Sequence, residues 1–521
     1  MLSWVDTFVI FASLGLVVFA VTRAANKGRS GSEYFLAGRD LSWPFIGMSL
    51  FASNISAEHV LGMAGDGYRI GMVAGGYEWV SGWDLIMLAM LFAPLYLRER
   101  LFTIPEFLER RYGWPLRAFL SANLLIINVF TKNAIDIWAG SLLFKVLFGW
   151  NQLLVMIVLS AFTALYTMKG GLRAVVYADM VQGTWLILSS ALLTVLGLHA
   201  VGGWHGLVAQ APHASLEMVK PLTDELPITG FLIANFFSGM FYWCMDQTNV
   251  QRVLGARTLK DGQRGAIFAG FLKLLVPFIL VLPGVIARVL YPGISRYDYA
   301  YPHLVLGLMP VGLRGLALAG LIAILMSSMS ACYNASATLV VRDFVLRFKP
   351  ATTESKQVVI GRWVTVLMAV LGVAAAPLVG LSVTIWYYLQ LISHYLCAPM
   401  MAVILTGVLW KKANTKGAIG GIVVGFSVGL VVFLDQVLHL GLPILSLPIM
   451  TSFLHRDLIV LVSAAIATVV VSHITSKPED FKRAVVNVFG EFTNRWGGID
   501  DYRNAACVLF ICTVVLWYLF R

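Results

Sequence analysis

Apolar residues in this chain come in runs of about twenty, the length that crosses a bilayer core as a helix. Short polar loops separate them. Fourteen spans are expected, at 4–22, 43–70, 73–97, 116–147, 151–168, 174–200, 229–250, 262–290, 311–341, 359–378, 381–409, 416–438, 453–472 and 504–520. Helices are expected because a segment in lipid must satisfy its own backbone hydrogen bonds. Charge gives an independent check, since Lys and Arg collect in cytoplasmic loops. With the N-terminus outside, eight of the 38 fall on the outer side: Arg69, Lys145, Lys220, Arg288, Arg296, Arg314, Arg456 and Arg521. Lys132 and Lys273 lie within spans, and the rest lie in or beside the inner loops 23–42, 98–115, 169–173, 251–261, 342–358, 410–415 and 473–503. A missed span would reverse this bias downstream of it. Both termini are therefore expected outside a cell membrane (plasma or inner membrane). The outer loop 201–228 is long, and the inner loop 473–503 is partly amphipathic.

Two spans break the apolar pattern. The second carries Asn54, Ser56, Glu58 and His59, then Gly62, Gly65 and Gly67. The seventh carries Asn235, Ser238 and Gly239, then Tyr242-Trp243-Cys244-Met245-Asp246-Gln247. They are five spans apart. Interrupted helices at corresponding positions of two five-helix halves point to a transporter built from inverted repeats. Small residues alone would mean close helix packing. That account suits Gly62 and Ala64, but not Asn54, Glu58, His59, Glu78, Asp179, Asp246 and Lys273. Polar groups at membrane depth are costly and default to function.

Composition narrows the class. Hydrophobic residues make up 59% and charged residues 12%, with a mean hydropathy of +0.81. A soluble chain of 521 residues would carry about twice that charge. The net charge of +11 is scattered through short loops and forms no stripe, so nucleic-acid binding is not expected. The five cysteines lie within spans without zinc-like spacing, which gives no disulfide framework or metal site. Asp6 stands where a signal peptide would be basic, so 4–22 is read as a retained helix. No GxxxxGK[ST] loop is present, which argues against an ATP-driven pump. Nor is there a nucleophile–base set for an enzyme.

Several blocks carry a resemblance. They are FASNISAEHVLGMAGDGY (51–68), YEW (77–79), FTIPEFLERRYG (102–113), YTMKGGLRAVVYADMVQ (166–182), YWCMDQTNVQRVLGA (242–256), FLKLLVPF (271–278), MSSMSACYNASATLVVRDF (326–344) and YLQLISHYL (388–396). In order and spacing they resemble the sodium:solute symporter family, in its sodium/glucose (galactose) cotransporter branch, over nearly the whole chain. The resemblance implies an all-α integral membrane protein of fourteen helices with a LeuT-type core. Its two inverted five-helix repeats would be 43–200 and 229–409, each with a broken first helix. An extra N-terminal helix, 4–22, would precede them and further helices would follow over 416–520, all in one transmembrane domain.

The resemblance also implies roles. Sodium would be held by the carbonyls of Ala52, Ile55 and Ile324 and the hydroxyls of Ser327 and Ser328. Positions 52 and 55 share a helix face, as do 324, 327 and 328. A second sodium would use Asp179 and Ser330, where Ala331 offers no further hydroxyl. The sugar would touch Asn54, His59, Glu78, Ser81, Lys273 and Gln390, a mixture of donors and acceptors suited to a ring of hydroxyls. Tyr242, with Trp243 beside it, would form the inner gate, and Met63, Tyr77 and Trp386 the outer lid. Glu78 and Lys273 would otherwise be a structural ion pair. Gly239 departs from the family, which often has a polar residue there, and His59 replaces a Gln of some relatives. The implied function is sodium-coupled import of a hexose by alternating access, with no cofactor beyond the coupling ion. A myo-inositol or other polyol symporter and a non-transporting sugar sensor are the alternatives.

Overall fold

The computed structural model describes residues 3–25, 36–56, 58–438, 440–475, 497–498 and 501–521. The loop expected to be amphipathic, 473–503, lies mostly outside them. Among the described residues the fold is helical throughout, with one isolated bridge between Leu41 and Ala256. Ten helices among the described residues are long and apolar enough by themselves to cross a bilayer. The shorter apolar helices at Trp4–Ser13, Gln152–Met168 and Gly230–Cys244, and the broken segment 43–70, fall where the remaining spans are expected.

The helices that position the sites are α1 (Trp4–Ala25), α2 (Trp43–Asn54), α3 (Gly76–Met87), α4 (Gln152–Ala200), α5 (Phe236–Cys244), α6 (Leu259–Lys273), α7 (Leu313–Leu339), α8 (Ile385–Leu409) and α9 (Phe453–Thr475). One boundary differs from the sequence reading. The inner loop expected at 169–173 is helical, so 152–200 runs without a backbone break. Gly170 and Gly171 are weak helix formers, but neither removes a backbone donor as proline would. Tyr166 and Asp179, on either side, both reach α7: the Tyr166 hydroxyl donates to the Met326 carbonyl at 2.5 Å, and Asp179 accepts from Ser327.

Both expected helix breaks are present. α2 starts with Pro44 in its first turn and ends at Asn54, where Ile55 turns out of the helix with ψ 106°. The chain resumes as a π-helical turn, Glu58–Met63, and then Ala64–Ile70, which Gly71 stops with φ +89°. α5 ends at Cys244. Asp246 then starts a new helix, Gln247–Leu254, by accepting from the Thr248 amide at 2.7 Å. Such caps satisfy amides that a helix start leaves without partners.

Burial separates core from lipid-facing helices. In the most apolar stretch of Leu313–Phe348, 94% of residues are buried, against 22% for Tyr502–Leu519. The exposed positions of the outer helices are apolar, among them Trp363, Val370, Leu188 and Ile466, as a lipid-facing surface requires. Asp6, the charge that argued against a leader, is buried against the start of α7. It accepts from the Gly312 amide at 2.8 Å and pairs with Arg314 at 3.1 Å, where a helix N-terminus favours an anion.

Candidate substrate and cation sites

The two breaks and α3 and α8 surround a cavity of about 80 Å³. Its wall holds Asn54, His59, Glu78, Ser81 and Gln390, five of the six expected sugar contacts. The sixth, Lys273, is fully buried one layer behind. Its ammonium donates to Glu78 Oε2 at 2.5 Å and to Asn54 Oδ1. Asn54 donates onward to the Tyr242 hydroxyl at 2.9 Å, and His59 Nε2 lies 3.2 Å from Glu78 Oε1. Lys273 thus both pairs with Glu78 and fixes the side chains that face the cavity. The ion pair of the structural reading is formed, and of its two members only Glu78 is part of the cavity wall. The Ser81 hydroxyl is turned back onto the Tyr77 carbonyl at 2.9 Å.

Aromatic rings close the cavity. Trp386 stands edge-on to His59 (5.1 Å between centroids) and to Tyr77 (5.3 Å). Its position depends on Gly62, whose missing side chain lets the broken helix approach the Trp386 amide; a Cβ there would lie 2.8 Å from that nitrogen. Tyr242 and Trp243 line the other side. Each carries a lysine over its face, Lys132 at 4.7 Å from Tyr242 and Lys273 at 5.2 Å from Trp243. Lys132 also pairs with Asp246 at 2.7 Å, tying the π-helical turn Asn128–Asn133 to the second break. Met63 is fully buried but is not part of the cavity wall, so the structure does not bring it to the lid with Tyr77 and Trp386.

The expected cation site lies behind α2. The last carbonyls of a helix have no intrahelical donors. Here the Ile55 amide takes the Phe51 carbonyl, and Ala52 lies in the last turn before the helix ends at Asn54. Ile324, Ser327 and Ser328 are buried on α7, which packs on α2. One carboxylate joins the two helices: Asp179 accepts from Ser49 of α2 and from Ser327 of α7. Arg252, also fully buried, lies 3.3 Å from Asp179 and donates to Ser49 at 3.0 Å. The donors near this junction are oxygens, which suit a hard cation. Ser330 is buried with no hydrogen-bond partner for its hydroxyl. Asp179 is therefore joined to the Ser327 site, and no bond to Ser330 is formed.

Sequence reasoning left several wall residues without a role. Asn235 just before α5, Ser238 and Gly239 on α5, and Ser393, His394 and Cys397 on α8 face the cavity. The signal was available: 386, 390, 393 and 397 fall on one helical face. Asp457, on α9, accepts from Ser238 at 2.6 Å and lies 2.9 Å from His394 Nδ1. No local pattern announces these contacts, because they span 219 residues for Ser238 and 63 for His394.

Comparison with known proteins agrees with this geometry. The sodium:solute symporter family model matches residues 34–425. A sodium/mannose cotransporter of Bos taurus is 36% identical over 460 residues, covering 81% of this chain and 77% of that protein. Sodium/glucose cotransporter 4 of Danio rerio is 34% identical over 445 residues (78% and 68%), and sodium/myo-inositol cotransporter 2 of Sus scrofa 35% over 438 residues (76% and 65%). Among solved structures, a substrate-bound, outward-open Na+-coupled sialic acid symporter superposes with a TM-score of 0.80 at 20% identity, covering 91% of this chain and 98% of that one. The fold is the all-helical LeuT type. The chain is a multi-pass membrane protein, a sodium-coupled symporter rather than an enzyme, with sodium as coupling ion and no cofactor, and it belongs to the sodium:solute symporter family.

Proposed function

We propose that this symporter imports a hexose such as glucose or galactose, driven by sodium, through alternating access of two inverted repeats, 43–200 and 229–409. The observation that carries the reading is the cavity wall. Glu78 offers acceptors, Asn54, His59 and Gln390 offer both functions, and aromatic rings lie on either side. A pyranose presents hydroxyls at its rim and flatter faces to rings. Sodium binds the carbonyls of Ala52, Ile55 and Ile324 and the hydroxyls of Ser327 and Ser328, and Asp179 lends negative charge to the junction of α2 and α7. Tyr242 and Trp243 serve as inner gate, and Tyr77 and Trp386 as outer lid. Both termini face outward across a plasma or inner membrane, in line with the Lys and Arg distribution.

A polyol substrate is the second reading. The similarity to a sodium/myo-inositol cotransporter equals that to the glucose and mannose cotransporters, and a ring of hydroxyls is common to all three ligands. The test is uptake by proteoliposomes under an imposed sodium gradient, with labelled glucose, galactose, mannose and myo-inositol. Sodium-dependent accumulation of a hexose above myo-inositol is the expected result. The reverse preference would replace the hexose by a polyol, and accumulation of neither would refute both.

A further inference from the structure

Asp84 is a carboxylic acid at membrane depth with no role so far. It is fully buried, and neither carboxyl oxygen has a hydrogen-bond partner. Among the described residues it is the one buried acid of which this holds for both oxygens. Each neighbouring buried carboxylate is held: Glu78 by Lys273, Asp179 by Arg252 and two serines, Asp246 by Lys132, and Asp457 by Ser238 and His394. Leaving a buried acid unpaired is costly, and such a group signals an absent partner.

Its position says where that partner would come from. Tyr77, Ser81 and Asp84 lie at i, i+4 and i+7 on α3, hence on one face, and the first two line the cavity. On the facing segment, Asn235 just before α5 and Gly239 and Tyr242 on it repeat that spacing, and all three line the cavity. The two stripes meet where Asp84 faces Gly239. A Cβ built on Gly239 would collide with Asp84 Oδ2 and would lie 3.8 Å from Oδ1. The carboxylate therefore occupies the space a side chain at 239 would fill, against a glycine that itself lines the cavity. The Cys244 thiol, donating to the Asp84 carbonyl at 3.7 Å, holds α5 and α3 together at this point. A bound metal ion does not fit. No group of three His, Cys, Asp or Glu converges there among the described residues.

We infer that Asp84 and Gly239 form a specificity subsite, in which the carboxylate accepts a hydrogen bond from one hydroxyl of the bound sugar or polyol through the gap left by the glycine. This rests on the proposed function and extends it: one substituent of the ring is read by an acceptor delivered from α3 instead of by a side chain on α5. A site built to receive a hydroxyl discriminates strongly against a ligand that lacks it.

The test uses the full-length protein in proteoliposomes. Sodium-dependent uptake of the transported sugar or polyol is competed with its monodeoxy and monofluoro analogues, neither of which can donate at the altered position. For the wild type, removal of one particular hydroxyl should weaken competition about tenfold or more. In Asp84→Leu the parent compound should weaken by a similar factor, while the analogue altered at that position competes as it does with the wild type. The other analogues should keep their order. Should Asp84→Leu fail to fold, Asp84→Asn, which retains an acceptor but not the charge, should reduce discrimination at the same position at least threefold. A folded variant of either kind with the wild-type analogue profile would overturn the subsite. A purely structural role for Asp84 would depress uptake of every analogue alike, and that also would overturn it. Absence of uptake of any sugar or polyol by the wild type would refute the proposed function itself.

Discussion

The wall of the cavity and the junction behind α2 are both built from buried charges, but they are closed to different degrees. At the cavity, Lys273 draws Glu78 and Asn54 back from behind, and the faces of His59, Gln390 and Tyr242 remain turned to open space. At the junction, Asp179 already binds Ser49 and Ser327, with Arg252 against it. The first arrangement is a surface held ready for a ligand. The second is a knot in which a protein cation stands near the groups expected to meet sodium. A flexible polyol needs a preformed set of directional partners. A monatomic ion needs only oxygens released from one another, which the ends of broken helices supply. The contrast is in line with the proposed division, in which substrate meets side chains at the first break and on α3, α5 and α8, and coupling lies at the contact between α2 and α7.

The comparison breaks most visibly at its charged centres. Lys273→Met strands Glu78 in the core, and removing one partner of a buried pair costs about 3–5 kcal/mol. Thermal unfolding in detergent should show a much less stable protein, and Glu78→Gln in the same chain should restore part of the loss. Next is the ion side. Replacing Ser327 and Ser328 together by Ala deletes two small hydroxyls with little packing, so the protein should fold. Sodium stimulation of uptake should nevertheless disappear; a double variant with wild-type sodium dependence would contradict the assignment. Third, Gln390→Ala should weaken sugar binding by about 1–3 kcal/mol, measured by calorimetry at saturating sodium, and should leave sodium binding alone intact. The smallest effect sharpens stoichiometry. Ser330→Ala touches no hydroxyl bonded to Asp179, so it probes a second ion without disturbing the first. A shift in the number of sodium ions per sugar would establish a second site there, and an unchanged ratio would exclude it. Asp179→Asn cannot make that distinction, because it also releases Ser327.

Much of this was legible in the chain. The spans follow from apolar run length, and the breaks at 55–56 and 245–246 from polar and glycine residues that lipid does not tolerate. The cavity contacts carried over residue by residue through motifs near those breaks. What was not legible depends on distant contacts. His394 is an unremarked position within its motif until Asp457 arrives from α9. Asp84 carries no local signal of its own; what marks it is Gly239 packed against it from a distant part of the chain. Met63 sits at helical spacing from His59 yet belongs to the core and not to the cavity wall. The helical backbone over 169–173 shows the converse: two glycines beside basic residues suggest a loop, but weak helix formers do not by themselves end a helix.

The central claim is that sodium and sugar move together. At about 100 mV each inward charge gains roughly 2.3 kcal/mol, and a tenfold sodium gradient adds about 1.4 kcal/mol. One sodium could then sustain roughly a 500-fold sugar gradient, and two about the square of that. The direct measurement is the reversal potential of sugar-dependent current in proteoliposomes at known gradients. The account predicts an inward current that requires both ligands and reverses where the combined sodium and sugar gradients balance the voltage, at a whole number of ions per sugar. Saturable, sodium-dependent sugar binding with no current and no accumulation would contradict it and make this chain a sensor.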